Sequence, residues 1–244
     1  MNFNIRIYAD GAVISDMLAA YQTGFVNGFT TNPSLMKKAG VTDYVVFARE
    51  VVEKISDLPL SFEVFADDFE TMEKEAEKIH LLGKNVFIKI PITNTKGESS
   101  IPLIQKLEDK GYSLNVTAIF TTKQVEETVA ALNPEVENIV SVFAGRIADS
   151  GVDPIPYMKK AVEICHTKKG ANLLWASTRE VFNVYEADRI GVDIITCPPS
   201  VIAKLKSVGK TLEESSLDTV IGFNRDIQKL GFSILTDEEK TQLR

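Results

Sequence analysis

The sequence predicts an α/β protein of the (β/α)8 barrel class with an additional C-terminal helix. Short apolar runs recur along the chain at intervals of about 30 residues, which is the size of one βαβ unit. The runs are rich in β-branched and aromatic residues and too apolar for strands that expose one face, which indicates parallel strands buried on both faces. The segments between them have the spacing of amphipathic helices, and a length of 244 residues suits a single barrel.

Eight such runs are the candidate strands. They begin at Ile5 (IRIYAD), Val26 (VNGFTTN), Leu60 (LSFEVFA), Asn85 (NVFIKIP), Ser113 (SLNVTAIF), Ile139 (IVSVFAGRI), Asn172 (NLLWAST) and Asp193 (DIITCPP). Residues 67–82, 121–132 and 157–167 have helical periodicity, and the first of these segments begins with two capping aspartates. Eight units favour a closed barrel over an open doubly wound sheet. A Rossmann fold would also want a GxGxxG motif after the first strand, and the chain lacks one.

The residues after the eighth unit predict an extra helix, most clearly at 218–230, that packs on the barrel or on a neighbouring subunit. We therefore predict a single barrel domain over residues 1–244, with the barrel at about 1–210 and the helical extension at about 211–244.

Composition excludes several classes of function. The net charge is −7 and no block of lysine or arginine stands out, which argues against a nucleic-acid partner. Cys165 and Cys197 lack CxxC spacing, and with two histidines, His80 and His166, a histidine-rich metal site is not expected. The N-terminus has neither a basic segment nor an apolar one of the signal-peptide type, and no apolar run reaches transmembrane length. We expect a cytoplasmic protein with no membrane partner.

Polar residues follow or end nearly every candidate strand. Because the chemistry of such barrels lies at the carboxyl ends of the strands, and because polar groups on inner strands are costly to bury unpaired, these residues are candidates for a site. They are Asp10, Thr31, Asn32, Glu63, Lys89, Asn115, Thr117, Ser141, Arg146, Ser177, Arg179 and Thr196.

Lys89 is the most distinctive of these candidates, because it lies within the apolar string VFIKIPI. Desolvation of a lysine favours the neutral amine, the form that attacks a carbonyl carbon. The alternatives are a lysine in a buried ion pair and one whose ammonium reaches solvent at a strand end. Local sequence does not decide between them.

Two carboxylates accompany this lysine. Asp10 ends the first strand and is either an acid/base group or an ordinary helix cap. Glu63 lies inside an apolar strand, where a carboxylate needs a cation or a proton. With Lys89 nearby, one carboxylate can move a hydroxyl proton and the other can orient a water with Thr117. A buried Lys–Glu ion pair without chemistry is the alternative.

Two arginines follow the sixth and seventh strands, where barrels commonly hold phosphate. Ser177 precedes Arg179 by two residues, so the two side chains would point to the same side of an extended strand. Together with Arg146 they suit a phosphate or sulfonate at the end of a sugar, and surface salt bridges are the alternative.

Five strings in order carry a resemblance to a known family: GFTTNPSL, VFIKIPIT, LNVTAIF, SVFAGRIADSG and ASTR. With YADGA at the first strand, they span essentially the whole chain. The sequence resembles the transaldolases and the closely related fructose-6-phosphate aldolases. In that family the lysine that forms the Schiff base lies on the fourth strand, and Lys89 is on the fourth strand counted here.

The resemblance implies roles for the matching positions. Lys89 forms the imine with a donor ketose, and Asp10 acts on the C4 hydroxyl. Glu63 and Thr117 hold the catalytic water. The donor hydroxyls and the lysine are contacted by Thr31, Asn32, Asn115 and Ser141, and the terminal phosphate by Arg146, Ser177 and Arg179. The resemblance also implies sugar phosphates as partners, the pentose phosphate pathway as context, a homo-oligomer, and no metal or organic cofactor.

Two positions distinguish the subfamilies. Glu63 and Phe143 resemble the transaldolases, whereas the aldolases carry Gln and tend to carry Tyr at these positions. Both residues favour transfer of a dihydroxyacetone unit over simple cleavage. The short chain, however, resembles the small aldolase-like subfamily, and ADGA departs from the commoner DTA-like pattern. Cleavage, a transaldolase for another anionic sugar such as a sulfo-sugar, and a non-catalytic sugar-phosphate-binding barrel are the alternatives.

Overall fold

The computed structural model describes residues 3–205, 207–236 and 238–239. Its eight strands are β1 (Arg6–Asp10), β2 (Gly28–Thr30), β3 (Leu60–Glu63), β4 (Val86–Pro91), β5 (Leu114–Ile119), β6 (Asn138–Val142), β7 (Ala171–Trp175) and β8 (Ile194–Cys197). All neighbouring pairs are parallel, and β8 pairs with β1 to close the barrel. The predicted (β/α)8 barrel with an extra C-terminal helix is confirmed.

Helices alternate with the strands. They are α1 (Ile14–Gln22), α2 (Pro33–Lys38), α3 (Tyr44–Lys54), α4 (Phe69–His80), α5 (Ile101–Asp109), α6 (Thr122–Ala131), α7 (Ala144–Asp149), α8 (Pro154–Cys165), α9 (Phe182–Ile190), α10 (Pro199–Leu205) and α11 (Leu212–Leu230). Side-chain caps fix the starts of several of these helices. The Asp68 carboxylate accepts the N–H of Thr71 at the start of α4, and Thr121 and Gln124 form a reciprocal capping box on α6.

Large apolar side chains fill the interior of the barrel. Tyr8, Ile139, Leu174 and Ile194 form a buried cluster against which Phe87 packs. Gly28, opposite Tyr8 in the β1–β2 register, makes room for the ring, since a Cβ there would lie 2.7 Å from it. Because side chains alternate between the two faces of a strand, the residues two positions further along these strands also point inward, at the carboxyl end.

The chain divides into two compact units, one ending at Ala203 and the other beginning at Lys204. In the second unit, a capping box of Thr211 and Glu214 begins α11, and Gly231 in the left-handed conformation ends it. No residue of α11 is buried. Its large apolar side chains are all exposed, and most recur at helical spacing: Leu212, Leu217, Val220, Ile221, Phe223, Ile227 and Leu230. Within the described ranges, no helix has the length and apolar character needed to cross a membrane.

Candidate active site

Lys89 lies near the carboxyl end of β4 and points into the barrel. Phe87, two residues earlier on the same face, packs against the interior cluster, which fixes the inward direction of Lys89. The residue is 6% exposed. Its Nζ donates to the carbonyl oxygen of Thr31 at 2.8 Å and lies 3.2 Å from Oε2 of Glu63. The amine is therefore desolvated and held by two oxygen atoms.

Glu63 ends β3 directly beside Lys89, because the two residues are partners in the β3–β4 register. The hydroxyl of Tyr44 in α3 donates to the carbonyl oxygen of Glu63 at 3.0 Å. In the following loop, the Glu75 carboxylate accepts the N–H groups of Phe65 and Ala66 at 2.7 and 2.9 Å. Side chains of α3 and α4 thus fix the backbone that carries Glu63.

Asp10 ends β1 on the inner face and is partly buried. Burial raises the pKa of its carboxyl, while the positive charge of Lys89 and a hydrogen bond from Thr30 lower it, and the charge of Glu63 raises it. The Thr30 hydroxyl donates to Oδ1 at 3.0 Å. Asp10 thus shares the electrostatic environment of the lysine–glutamate pair.

A chain of side-chain hydrogen bonds crosses the barrel beside these groups. The Ser141 hydroxyl on β6 donates to Oδ1 of Asn115 at 2.6 Å, and Nδ2 of Asn115 donates to the Ser61 hydroxyl on β3 at 3.0 Å. All three residues are buried. The two bonds fix which way the Asn115 amide faces. Ser61 is absent from the sequence prediction, although its position two residues before Glu63 puts it on the same face.

Thr117 is buried on β5 in register with Pro91. The register between β5 and β6 shifts between Val116 and Ile119, and Ala118 has a φ of 59°. A left-handed alanine is costly, and such strain concentrates at functional sites. The backbone is therefore irregular beside Thr117, at the end of β5 where the sequence predicts a water-holding residue.

The loop from β2 to α2 contributes a backbone carbonyl to the site and a side-chain cap to α2. Besides the Thr31 carbonyl bound by Lys89, the Thr31 hydroxyl is buried and lacks a hydrogen-bond partner within the described residues. Asn32 is the N-cap of α2, and its Oδ1 accepts the N–H of Leu35 at 3.0 Å. Its predicted contact with substrate is therefore restricted to the part of the amide that does not cap the helix.

The predicted anion-binding residues lie after β6 and β7. The Arg146 guanidinium is 5.1 Å from the centre of the Phe143 ring. Arg179 forms an ion pair with Asp149 that includes a bond from Nε to Oδ1 of 3.2 Å. The hydrogen bond and charge of Arg179, together with the charge of Arg146, lower the pKa of the Asp149 carboxyl. Both guanidinium groups thus lie near one carboxylate that the sequence prediction missed.

The predicted extended geometry of Ser177 and Arg179 is wrong. Strand β7 ends at Trp175, and Ser177 has a φ of 66°, in the left-handed region. Gly145 explains the close packing here, because a Cβ on it would lie 1.7 Å from the carbonyl oxygen of Ser177. The turn at Ser177 after β7 therefore requires a glycine at position 145, in the first turn of α7.

A cavity of about 850 Å³ lies between α3 and α4, and Glu63 contributes to its lining. Most of its lining is apolar, including Phe65 and Ile79. As for metals, the described part of the chain has no group of three or more His, Cys, Asp and Glu side chains placed to hold an ion.

A closed (β/α)8 barrel with a buried lysine paired with a carboxylate at the carboxyl ends of its strands has the architecture of an aldolase-type enzyme. Comparison with known proteins identifies the family. Residues 7–234 match the model of the family described as Transaldolase/Fructose-6-phosphate aldolase. The chain belongs to this family, and the resemblance found in the sequence is confirmed.

Named relatives match over nearly their full length. The chain is 34% identical to a probable transaldolase of Erythrobacter litoralis over 232 residues, which are 95% of this chain and 100% of the relative. It is 36% identical to a probable transaldolase of Sphingopyxis alaskensis over 231 residues, or 94% and 100% of the two chains. These matches support an enzyme of the aldolase type.

Among solved structures, the chain resembles the 3-hexulose-6-phosphate synthase of Salmonella typhimurium with a TM-score of 0.57 and 12% identity, covering 82% of this chain and 90% of the other. At this level of identity the likeness concerns the fold alone.

Proposed function

We propose that the protein is a transaldolase that moves a dihydroxyacetone unit from a ketose phosphate such as fructose 6-phosphate to an aldose phosphate such as erythrose 4-phosphate. The observation that carries the proposal is the buried amine of Lys89, 3.2 Å from Glu63 and within the electrostatic reach of Asp10. Family membership and the probable transaldolases among its relatives support it.

The first half-reaction begins at Lys89. Its ammonium first transfers a proton to Glu63, and the resulting amine attacks the C2 carbonyl of the donor to give a carbinolamine. Glu63 returns the proton to the carbinolamine hydroxyl, which leaves as water, and a protonated imine remains. Asp10 then accepts the proton of the C4 hydroxyl, the C3–C4 bond breaks, and its electron pair moves into the imine to give an enamine. Glyceraldehyde 3-phosphate leaves. The imine is the electron sink, so the proposed mechanism assigns no step to a metal or an organic cofactor.

The second half-reaction reverses these steps with another aldehyde. The enamine carbon attacks the acceptor carbonyl, and Asp10 returns its proton to the new alkoxide. Water held by Glu63 and Thr117 then hydrolyses the imine and frees Lys89. In this scheme Asn32, Asn115 and Ser141 contact donor hydroxyls, Thr31 supports Lys89 through its carbonyl, and Phe143 forms part of the wall. Arg146, Ser177 and Arg179 hold the terminal phosphate.

Borohydride reduction in the presence of fructose 6-phosphate tests the imine. We expect mass spectrometry to find a reduced adduct on the peptide that contains Lys89. Lys89→Ala should abolish the adduct, whereas Lys74→Ala, which alters an exposed lysine of α4, should retain it. Absence of an adduct at saturating donor would refute the mechanism and favour a non-catalytic sugar-phosphate-binding barrel.

Cleavage without transfer is the second candidate, and the short chain favours it. Glu63 and Phe143 favour transfer, since the chain resembles the transaldolases at both positions. A coupled assay compares the rate of glyceraldehyde 3-phosphate release with and without erythrose 4-phosphate. We expect a faster rate with the acceptor, and equal rates would refute transfer. A sulfo-sugar donor in the same assay tests whether a sulfonate replaces the phosphate.

We further propose a cytoplasmic homo-oligomer, with residues 1–210 as the barrel and the helical extension in contact with a neighbouring subunit. The exposed apolar face of α11 supports this proposal, because contiguous apolar patches of this kind are typical of interaction surfaces. Light scattering after size-exclusion chromatography should give a mass above one chain. A variant with Phe223→Glu and Ile227→Glu should be a monomer if this face forms the contact.

A further inference from the structure

We propose that Thr30 and Thr196 are positioning residues that form a two-hydroxyl chain behind Asp10, and that this chain reverses its polarity when Asp10 gains or loses a proton. The inference rests on the acid/base role proposed above for Asp10. Neither threonine is among the residues proposed above to contact the sugar. The hydrogen-bond chain acts on the Asp10 carboxyl without any contact between a threonine and the substrate.

The barrel register brings the three residues together. Asp10 is opposite Thr30 in the β1–β2 pair, and Thr196 is opposite Tyr8, two residues before Asp10, in the β1–β8 pair. The Thr30 hydroxyl lies 3.0 Å from Oδ1 of Asp10 and 2.6 Å from the Thr196 hydroxyl. Both threonines are buried, with exposures of 3% and 7%. Water is thus largely excluded from the chain.

Counting hydrogens gives the chain its direction. Each threonine has one hydroxyl hydrogen and two acceptor lone pairs. When Asp10 is ionised, Thr30 donates to its carboxylate, so Thr196 must supply the hydrogen for the bond between the two threonines. When Asp10 is protonated and donates to Thr30, the Thr30 hydrogen is released to donate to Thr196. Rotation of two hydroxyl groups therefore satisfies the carboxyl in either state, with no movement of the backbone.

Thr196 is held in place for this role. The Thr178 hydroxyl donates to the carbonyl oxygen of Thr196 at 2.7 Å, which fixes the end of β8. Asp10, at the opposite end of the chain, faces charged or titratable groups on three strands. These are Glu63 on β3, Lys89 on β4 and the thiol of Cys197 on β8. The Thr30 hydroxyl donates to the carboxylate and lowers the pKa of Asp10, whereas burial raises it. Thr196 reaches the carboxylate only through its hydrogen bond with Thr30.

A structural role would be satisfied by any group of the same shape, whereas the proposed role needs the hydroxyls. Thr30→Val and Thr196→Val preserve the branched shape and remove the hydrogen bonds, and Thr30→Ser preserves the hydroxyl. Thr128→Val is a matched control, since the Thr128 hydroxyl in α6 is buried without a hydrogen-bond partner among the described residues. Thermal melting first establishes which variants are folded.

The decisive measurement is the titration of Asp10 in substrate-free protein labelled with ¹³C in its aspartate carboxyl groups. The Asp10 signal is assigned by its loss in Asp10→Asn. We expect Thr30→Val to raise the Asp10 pKa by about one unit, because a hydrogen bond to a charged group is lost. Thr196→Val should raise it by a smaller amount, and Thr30→Ser and Thr128→Val should leave it unchanged. The acidic limb of the kcat/KM profile should move by the same amounts.

An unchanged Asp10 titration in Thr30→Val or in Thr196→Val would overturn the proposal. If Thr30→Val does not fold, Thr196→Val provides the same test from the far end of the chain. The NMR titration needs no turnover, so it is independent of the proposed function. The two proposals can fail separately. If the Asp10 pKa rises as expected in the two valine variants but no borohydride adduct forms on Lys89, the transaldolase mechanism is refuted and the hydroxyl chain stands.

Discussion

The Nζ atom of Lys89 lies 3.2 Å from Oε2 of Glu63, and the two residues are register partners near the carboxyl ends of the neighbouring strands β4 and β3. The side chains are 8% and 18% exposed. An ion pair this well shielded from water has lost most of its solvation. Proteins in which such a pair is replaced by apolar side chains of similar volume are often as stable as the original. Its presence beside a second carboxylate, that of Asp10, therefore points to chemistry more than to stability.

Glu63→Gln tests the role of the pair in catalysis. The amide keeps the shape and loses the charge and the ability to accept a proton, so we expect kcat for transfer to fall by about 10²–10⁴-fold. The borohydride adduct on Lys89 should still form, because the amine remains. Glu50→Gln alters the exposed Lys54–Glu50 pair of α3 and serves as the control, with kcat unchanged. A wild-type kcat in Glu63→Gln would show that the carboxylate has no part in the reaction.

The contact between Gly145 and Ser177 makes a prediction about stability. A Cβ at position 145 would lie 1.7 Å from the Ser177 carbonyl oxygen and 2.8 Å from its carbonyl carbon, both of them backbone atoms with little room to move. Gly145→Ala should lower the free energy of unfolding by about 1–3 kcal/mol and raise KM for fructose 6-phosphate, because Ser177 and the arginines shift. Gly222→Ala in α11, where a Cβ meets nothing within 4 Å, should do neither. Chemical denaturation and steady-state kinetics measure both effects.

The barrel and its main pair could be predicted because their signals are local in sequence. Apolar runs at a regular interval define buried strands, and a charged residue inside such a run is conspicuous, as with Lys89 and Glu63. Their proximity follows because they lie on consecutive strands, and the carboxyl ends of neighbouring parallel strands meet at one edge of the sheet. The assignments that depend on bound sugar, such as that of Thr117, stay predictions.

Other parts of the site carry no such signal. Ser61 is a small hydroxyl residue in an apolar run, so nothing marks it until Asn115 is seen across the barrel. Asp149 is 30 positions from Arg179 and lies on a short helix whose end the sequence does not define. The left-handed Ser177 was unpredictable, because non-glycine residues rarely adopt this conformation and no residue pattern announces it.

Glu108, at the last turn of α5, makes the unfolding free energy depend on pH. Its carboxyl is 2% exposed, and its Oε2 accepts the N–H of Asn133 at 2.7 Å and Nδ2 of Asn138 at 3.0 Å. Burial outweighs these bonds and raises its pKa from 4.5 to about 7. The folded state therefore binds the proton more tightly than the unfolded state between these values, and stability falls as pH rises through this window.

We expect urea denaturation to give an unfolding free energy that falls from pH 5 to pH 7.5, with a slope of at most about 1.4 kcal/mol per pH unit from this group. Glu108→Gln keeps an acceptor oxygen for Asn133 and Asn138 and does not titrate, so the slope in this window should decrease. Glu135→Gln, which alters an exposed carboxylate, should keep the wild-type slope. An identical slope in Glu108→Gln would mean that this carboxyl is ionised throughout the window.

Mutation of Arg179 and Asp149 distinguishes two roles for Arg179: binding of the substrate phosphate, and a surface salt bridge alone. The two side chains are 48% and 54% exposed, so by itself the ion pair should contribute no more than about 1 kcal/mol to folding. If Arg179 holds the sugar phosphate, Arg179→Ala also removes hydrogen bonds to a charged group, each worth about 1.5–3 kcal/mol, and KM for fructose 6-phosphate should rise by about 10–150-fold. Asp149→Ala should change KM far less, because the guanidinium remains.

Comparison of fructose 6-phosphate with unphosphorylated fructose measures the contribution of the phosphate contact. The kcat/KM for unphosphorylated fructose should be poor in the wild type and no worse in Arg179→Ala, since the contact removed is one that this sugar never makes. Equal losses for both sugars would mean that Arg179 acts on the fold of the loop after β7, and an unchanged KM for fructose 6-phosphate would assign Arg179 to the salt bridge with Asp149 alone. Arg146→Ala, measured in parallel, shows whether the guanidinium over the Phe143 ring shares the phosphate.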